Sequence, residues 1–460
     1  MFDCSAQLRP QSVVTKALLF GSVFGVIAYK IFKKRYNLPP GPKGWPLIGN
    51  LLDIRGSQLS RKLRDWSKTY GPVMRIQLGT LPAIVLSRID VVTEALITRQ
   101  ADFAGRPHTF AAYTLSGEGK DIAQASYGPR WKLHRKIASK ALRHYLMGDN
   151  LSRKVSQSLK ITTNLMRMEQ GAFDPFPYLS LAISNMMTGM LFNKISADLN
   201  SEYYRTYVVT LDAFMEEAGE GFLEDSIPPL RLCPTPKFRR AVRLNNKILD
   251  GIREEIAAHR NTFRKAGIDT SRNTLHWCLL AMALHPDIQN KVQEEVDSVI
   301  DPDLNVHVSD RENLPYTDAV VHEVLRMRAV VPIGAPHSTL CDTTVGGYDV
   351  PKGTMVIINH DALHFDPDQW EDVDMFKPER FLDSDGKMGP KPESWLPFSA
   401  GRRVCLGETV AKPEIHLFLA GILRVFTMSL APGTPTDFEP QSKMFANCPK
   451  KYKLVMKWRV

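Results

Sequence analysis

Apolar residues follow two periods along this chain. Val73–Leu78 and 83–86 are short aliphatic runs around Gly79-Thr80, which predicts two strands and a turn. From 87 to 263 the apolar positions recur mainly at helical spacing, between loops. Ile248, Ile252 and Ile256, four residues apart, are one example. Helices are expected again over 275–284, 287–299 and 316–327. Gly346-Gly347 and Lys352-Gly353 punctuate a strand-rich stretch that ends near Asn359. Asp366-Pro367 and Lys377-Pro378 then mark an irregular meander. A last helix follows Gly407 and runs to about Phe426, and Pro413 is expected to limit or kink it. The pattern predicts a mostly α domain with a small β region.

A separate apolar run, 17–29, is interrupted by Ser22 alone. Extended to Val13 and Phe32, it reaches the ~20 residues that span a bilayer. Lys30, Lys33, Lys34 and Arg35 outweigh Arg9 and Lys16, which places the following domain in the cytosol. No convincing small-x-small site precedes the basic cluster, so an uncleaved anchor is expected over a cleavable signal peptide. Pro39, Pro40, Pro42 and Pro46 then read as a stiff, non-helical hinge. The expected division is an anchor with its basic flank over 1–36, a hinge over 37–50 and one large domain over 51–460.

Composition narrows the partners. A chain of 460 residues with 43% hydrophobic content buries a large core, and a net charge of +10 suits an acidic partner or an anionic membrane surface. Zinc-finger spacing, an aromatic-and-glycine strand signature and a long basic arm are all missing, so no nucleic acid is expected. The six cysteines, Cys4, Cys233, Cys278, Cys341, Cys405 and Cys448, form no C-x-x-C pair and fit a reducing compartment.

The chemistry concentrates at 398–407. Phe398, Gly401, Arg403, Cys405 and Gly407 match the spacing F-x-x-G-x-R-x-C-x-G. A thiolate is a strong iron ligand, and nearby cations hold it deprotonated. Arg402 and Arg403 supply the cations and would neutralise the thiolate or cofactor carboxylates. The glycines would let a flat cofactor approach the backbone. The bland alternative is a buried, inert cysteine. The helix expected after Gly407 would add its N-terminal dipole in favour of the thiolate. Trp131 and Arg135 lie four apart on one helical face. Lys132, Lys136 and Lys140 share the adjacent face, with Arg143 nearby, as a solvated basic stripe or a docking surface for an acidic partner.

The 398–407 loop resembles the haem-ligand loop of the cytochrome P450 monooxygenases. The resemblance extends in motif order over nearly the whole chain. It implies the P450 fold, with haem b bound through Cys405 and with Phe398 and Arg403 beside it. It further implies an endoplasmic reticulum membrane address, a lipophilic small-molecule substrate, and NADPH electrons delivered by a cytochrome reductase, with cytochrome b5 as a second donor. Trp131 and Arg135 match W-x-x-x-R, which holds haem propionates. His337, in Pro336-His337, is a further propionate donor or a satisfied loop histidine. Glu323 and Arg326 match E-x-x-R, and Pro378-Glu379-Arg380-Phe381 matches P-E-R-F. Glu323, Arg326 and Arg380 are thereby expected to form a buried charge network. Val330, Val331, Ile333 and Ala335 are expected along the substrate pocket. Ala266-Gly267-Ile268-Asp269-Thr270 resembles the oxygen-activation motif. There Gly267 gives room for dioxygen, Thr270 hydrogen-bonds it, and Asp269 feeds protons through water.

One departure stands out. The oxygen-side helix of the family has several apolar turns before this motif, whereas 259–265 here is mostly polar or charged. On the order of 40 residues, a helix and half of another, are missing before Ala266 by that comparison. The distal helix is therefore expected to be truncated, either through splicing or an incorrectly joined gene sequence, or with the preceding helix substituting. Poor haem retention or uncoupled turnover is the expected consequence. Within the family, 127–135 and 352–359 are most similar to the steroid 17α-hydroxylase/17,20-lyase group. Pro336-His337-Ser338-Thr339, with Asp342-Thr343-Thr344, leans towards the aryl-hydrocarbon-oxidising relatives.

Overall fold

A computed structural model describes residues 36–459, apart from 55–57, 147–148, 193–194, 202–203, 205–207, 259–268, 435–436 and 442–445. The side chains of 144–146, 191–192, 255–258 and 269 also fall outside that description. The apolar run 17–29 with its basic flanks, and Gly267, therefore lie outside the described residues. Among the described residues no helix is long and apolar enough to cross a membrane.

The chain from Pro39 onward forms one compact unit. Of the tract expected as a hinge, 39–50 lies inside it. Arg75 donates its backbone N–H to the Pro40 carbonyl at 2.8 Å, and a side chain on Gly41 would collide with the Arg75 carbonyl oxygen at 1.9 Å. Close backbone approach fixes this glycine.

The two expected strands form as β1, Val73–Leu78, and β2, Leu81–Leu86, paired antiparallel. The stretch before Asn359 supplies β3 (His337–Ser338), β4 (Thr343–Val345), β5 (Tyr348–Val350) and β6 (Met355–Ile358). The main sheet runs β1-β2-β6-β3, with β6 parallel to β2. β4 and β5 form a hairpin across Gly346-Gly347, both at positive φ, where glycine carries no Cβ penalty.

The described helices include α1 (Leu59–Tyr70), α2 (Ile89–Thr93), α3 (Pro129–Leu146), α4 (Asn150–Arg167) and α5 (Phe176–Phe192). They continue with α6 (Thr210–Ala218), α7 (Pro236–Ala258), α8 (Asp269–Leu284), α9 (Pro286–Val299), α10 (Pro315–Met327) and α11 (Glu408–Val425). The core is packed from α4, α5, α8, α9, α10 and α11, with Trp277 of α8 fully buried at its centre.

Two local expectations change. α11 runs unbroken through Pro413 to Val425. A proline this close to a helix start removes few backbone bonds, so it neither ends nor limits the helix. The terminal hairpin of β7 (Phe426–Leu430) and β8 (Leu454–Trp458) was not expected. β7 begins directly where α11 ends, so its alternation is hidden behind the helical run.

Candidate active site

The loop that leads into α11 is held by its own backbone. Cys405 donates its N–H to the Phe398 carbonyl at 2.9 Å, and Gly401–Arg403 makes a 3₁₀ turn between them. Gly401 sits at φ +67°, and a Cβ there would lie 2.0 Å from the Leu96 carbonyl oxygen. Leu96 belongs to a π-helical turn, Glu94–Thr98, that continues α2. Gly401 thus makes room for the Leu96 backbone, not for a cofactor as expected. Gly407 differs, since a Cβ there would meet only the Cys405 Sγ, at 3.9 Å.

Cys405 is exposed and lies just ahead of α11, so the N–H groups of Gly407 and Glu408 act on its sulfur. The expected electrostatics is only partly there. Desolvation by the surrounding protein raises the thiol pKa and outweighs those N–H groups and Arg135. The two arginines expected to hold a thiolate are engaged elsewhere. Arg402 bonds the Tyr127 hydroxyl, and Arg403 donates from Nε to the Ala104 carbonyl and from Nη2 to the Ala125 carbonyl, each at 2.8 Å. The fold by itself thus favours the thiol form of Cys405.

Beside this loop lies a cluster of cations. Trp131 and Arg135 on α3 face it together. The guanidinium carbons of Arg135 and Arg403 lie 5.3 and 4.2 Å from the Trp131 ring centre. Arg135 Nη2 donates to the carbonyl of Val404, next to Cys405, at 2.5 Å. The Trp131 indole N–H donates to the Ile122 carbonyl at 2.9 Å, so it is not free for a carboxylate as expected. The loop before α3 folds back to take that proton.

A third guanidinium joins them. Buried Arg106 donates from Nη1 to the carbonyls of Ala335 and Pro336, at 2.9 and 2.8 Å. His337 is buried next to Pro336 and shares its Nδ1 proton with the Phe103 carbonyl at 2.9 Å. Burial, then Arg106, pushes its pKa down to about 3. A neutral ring with its proton on Nδ1 offers a lone pair at Nε2, which does not donate to a carboxylate.

Asp121 acts on Arg106 through space, but among the described residues no ion pair joins an acidic group to Arg106, Arg135 or Arg403. Burial and then Arg106 and Arg135 push the Arg403 pKa down to about 9, and burial and Arg135 push Arg106 to about 10. Arg403 Nη1 is buried without a hydrogen-bond partner. Buried cations that repel one another, one with an idle donor, form a cradle for a dianion. A flat cofactor with two carboxylates at its edge fits such a cradle beside an exposed cysteine.

Behind the loop, the buried charge network forms. Glu323 takes both donors of Arg326, at 2.7 and 2.9 Å, and Arg380 Nε at 3.1 Å. Arg326 also caps the carbonyls of His364 and Val373. Glu323 and Arg326 are fully buried, so these fixed bonds clamp the meander against α10.

Comparison with known proteins decides the family. The cytochrome P450 family model matches residues 39–266 and 253–456. The chain belongs to the cytochrome P450 family. It is 30% identical to human cytochrome P450 1A2 over an alignment of 485 residues that covers 93% of each chain. It is 33% identical to the steroid 17-alpha-hydroxylase/17,20 lyase of Ictalurus punctatus over 472, covering 92% of this chain and 91% of the relative. The corresponding lyase of Squalus acanthias is 31% identical over 496, covering 97% and 96%. This P450 is therefore an oxidoreductase of the haem-thiolate monooxygenase class, which draws NADPH electrons through a reductase.

The family match comes in two pieces that overlap at 253–266. An alignment of 485 positions exceeds the 460 residues of this chain, so the relative carries stretches that this P450 lacks. Of the oxygen motif, Gly267 and the Asp269 side chain lie outside the described residues, and Thr270 is exposed in the first turn of α8. The described contacts do not join Thr270 to the Cys405 cluster. Among the expected pocket residues, Val331 and Ala335 are exposed, but Ile333 is buried in the core beneath the sheet. Sequence reasoning missed Arg106. An arginine between Gly105 and Pro107 has no period to reveal it, and only its burial beside Arg403 in the fold marks it out.

Proposed function

We propose that this P450 oxygenates a steroid-like lipophile, with Cys405 as the axial ligand of haem b. Haem, when bound, supplies dioxygen activation and insertion of one oxygen atom into a C–H bond. The cation cradle beside an exposed cysteine carries the reading. Arg403, Arg135 and Arg106 would hold the propionates, and the otherwise idle Nη1 of Arg403 gives one of them a donor. Trp131 packs the guanidinium groups in place. Phe398 closes the loop through its carbonyl. His337 positions the Phe103 backbone and contributes no proton. Asp269 and Thr270 pass protons from solvent towards the reacting oxygen, and Gly267 leaves space beside them.

The exposed face of α3 supports reductase docking, with cytochrome b5 as a competitor for it. Lys132, Lys136 and Lys140 are exposed there, interleaved with Leu133 and Ile137. Exposed Trp45, Leu47 and Leu52, close in sequence to the N-terminal anchor, support attachment to the endoplasmic reticulum membrane with the catalytic unit in the cytosol.

The substrate class is tested with purified protein, reductase and NADPH, offered a pregnane steroid or a planar polycyclic hydrocarbon. Steroid hydroxylation is the expected outcome; selective hydrocarbon oxidation replaces it with the xenobiotic reading. The overlap of the two matched pieces at 253–266 favours a second reading, a haem-binding form with impaired turnover. It expects a thiolate-type carbon monoxide spectrum with most electrons released as peroxide.

A further inference from the structure

The first two turns of α8 carry buried polar residues instead of the apolar ones usual in a core helix. Ser271, Arg272, Asn273 and Thr274 are each almost fully buried. Arg272 pairs with Asp212 on α6 and donates to Ser180 on α5 at 3.2 Å. Ser271, next to Thr270 in sequence, turns towards α11. Its hydroxyl donates to Glu414 Oε2 at 3.1 Å. Glu414 is fully buried on the helix that begins just after Cys405, and its Oε1 has no hydrogen-bond partner among the described residues.

A buried carboxylate with a single hydroxyl donor would be strongly unfavourable. Burial accordingly pushes the Glu414 pKa up to about 8, which favours the neutral carboxyl, with Oε2 accepting from Ser271. The group is then a neutral hydrogen-bonding strap. It joins the helix that follows the cysteine to the turn that carries Thr270.

We infer that Glu414 is a positioning residue for oxygenation, acting through Ser271 to hold the Thr270 turn of α8 against α11, the helix that follows Cys405. This rests on the haem-thiolate reading above. It bears with special force on this chain, because the two pieces of the family match overlap just upstream of α8. A bond from α11 then takes on more of the task of fixing the helix start.

The test uses the full chain reconstituted with haem, as wild type, Ser271→Ala, Glu414→Gln and Glu414→Leu. Amide hydrogen exchange is followed through α8 and α10, together with haem content, the carbon monoxide spectrum and peroxide released per NADPH. Losing one buried hydrogen bond is expected to speed exchange in the first turn of α8 about 5- to 30-fold in Ser271→Ala and Glu414→Leu. Exchange in α10 should not change. Glu414→Gln, which keeps an acceptor for Ser271, should stay within about twofold of wild type. Ser271→Ala should keep the thiolate-type spectrum while releasing more peroxide, a separation that general loosening would not give. Unchanged α8 exchange in Ser271→Ala, or Glu414→Gln opening as far as Glu414→Leu, overturns the inference. If wild type takes up no haem, the Cys405 reading fails, and exchange in the bare chain still decides whether the strap exists.

Discussion

Around Cys405 the chain is tied to itself from many directions, while the start of α8 hangs on longer-range polar bonds. The cysteine loop is fixed by its own Cys405–Phe398 bond, by Arg403 to Ala104 and Ala125, by Arg135 to Val404 and by Gly401 against Leu96. α8 is held through Ser271 to Glu414 and Arg272 to Asp212. The first region is overdetermined, and no single bond decides its shape. The second can shift when one partner is lost. Family identity resides in the first region.

The comparison breaks most sharply at the sulfur. Cys405→Ala should abolish the thiolate-type carbon monoxide spectrum and monooxygenation completely; a surviving spectrum would move the metal site elsewhere. Next comes the clamp behind the loop. Glu323→Ala strands the buried cation of Arg326 and should cost about 3–5 kcal/mol, read by denaturant unfolding.

Arg403→Met sharpens the point at the cradle. It removes the idle Nη1 donor together with the bonds to Ala104 and Ala125, so haem affinity should fall about ten- to a hundredfold. Unchanged haem affinity would mean that Arg403 serves packing alone.

The α8 region answers to acid. His276 is fully buried, neither ring nitrogen has a hydrogen-bond partner among the described residues, and burial followed by Arg272 pushes its pKa from 6.5 to about 3. Below pH 6.5 the unfolded chain binds a proton that the folded chain refuses, so stability falls as pH drops towards 3. His276→Phe, which keeps a ring to stack on Tyr452, should recover ~1–2 kcal/mol at pH 5 and little at pH 7.5, measured by thermal unfolding at both. The smallest effect belongs to the surface. Lys136→Glu should slow reduction a few-fold at low salt, and the difference should vanish at high salt.

Much of the proximal region was legible because its residues are close in sequence. The helix with Trp131 and Arg135, the Glu323–Arg326 pair and the cysteine loop all announce themselves by short spacing, and each formed. Arg106 and Glu414 were not legible. Arg106 lies far along the chain from Arg403, and Glu414 lies far from Ser271, so only folding makes either one a partner. The role expected of the arginines beside Cys405 went too far for the same reason. Adjacent arginines suggest a local field, but the fold turns Arg402 towards Tyr127 and Arg403 towards backbone carbonyls.

The sequence by itself determined the family, the helical framework and the cysteine, since these depend on local period and fixed short spacings. The tertiary structure alone decided where the charges lie. It gathered Arg106, Arg135 and Arg403 into one cradle, raised the Cys405 thiol pKa, and buried Glu414 against Ser271. Those properties come from burial and from neighbours distant in the chain, and low dielectric around a charge exists only once the chain has closed over it.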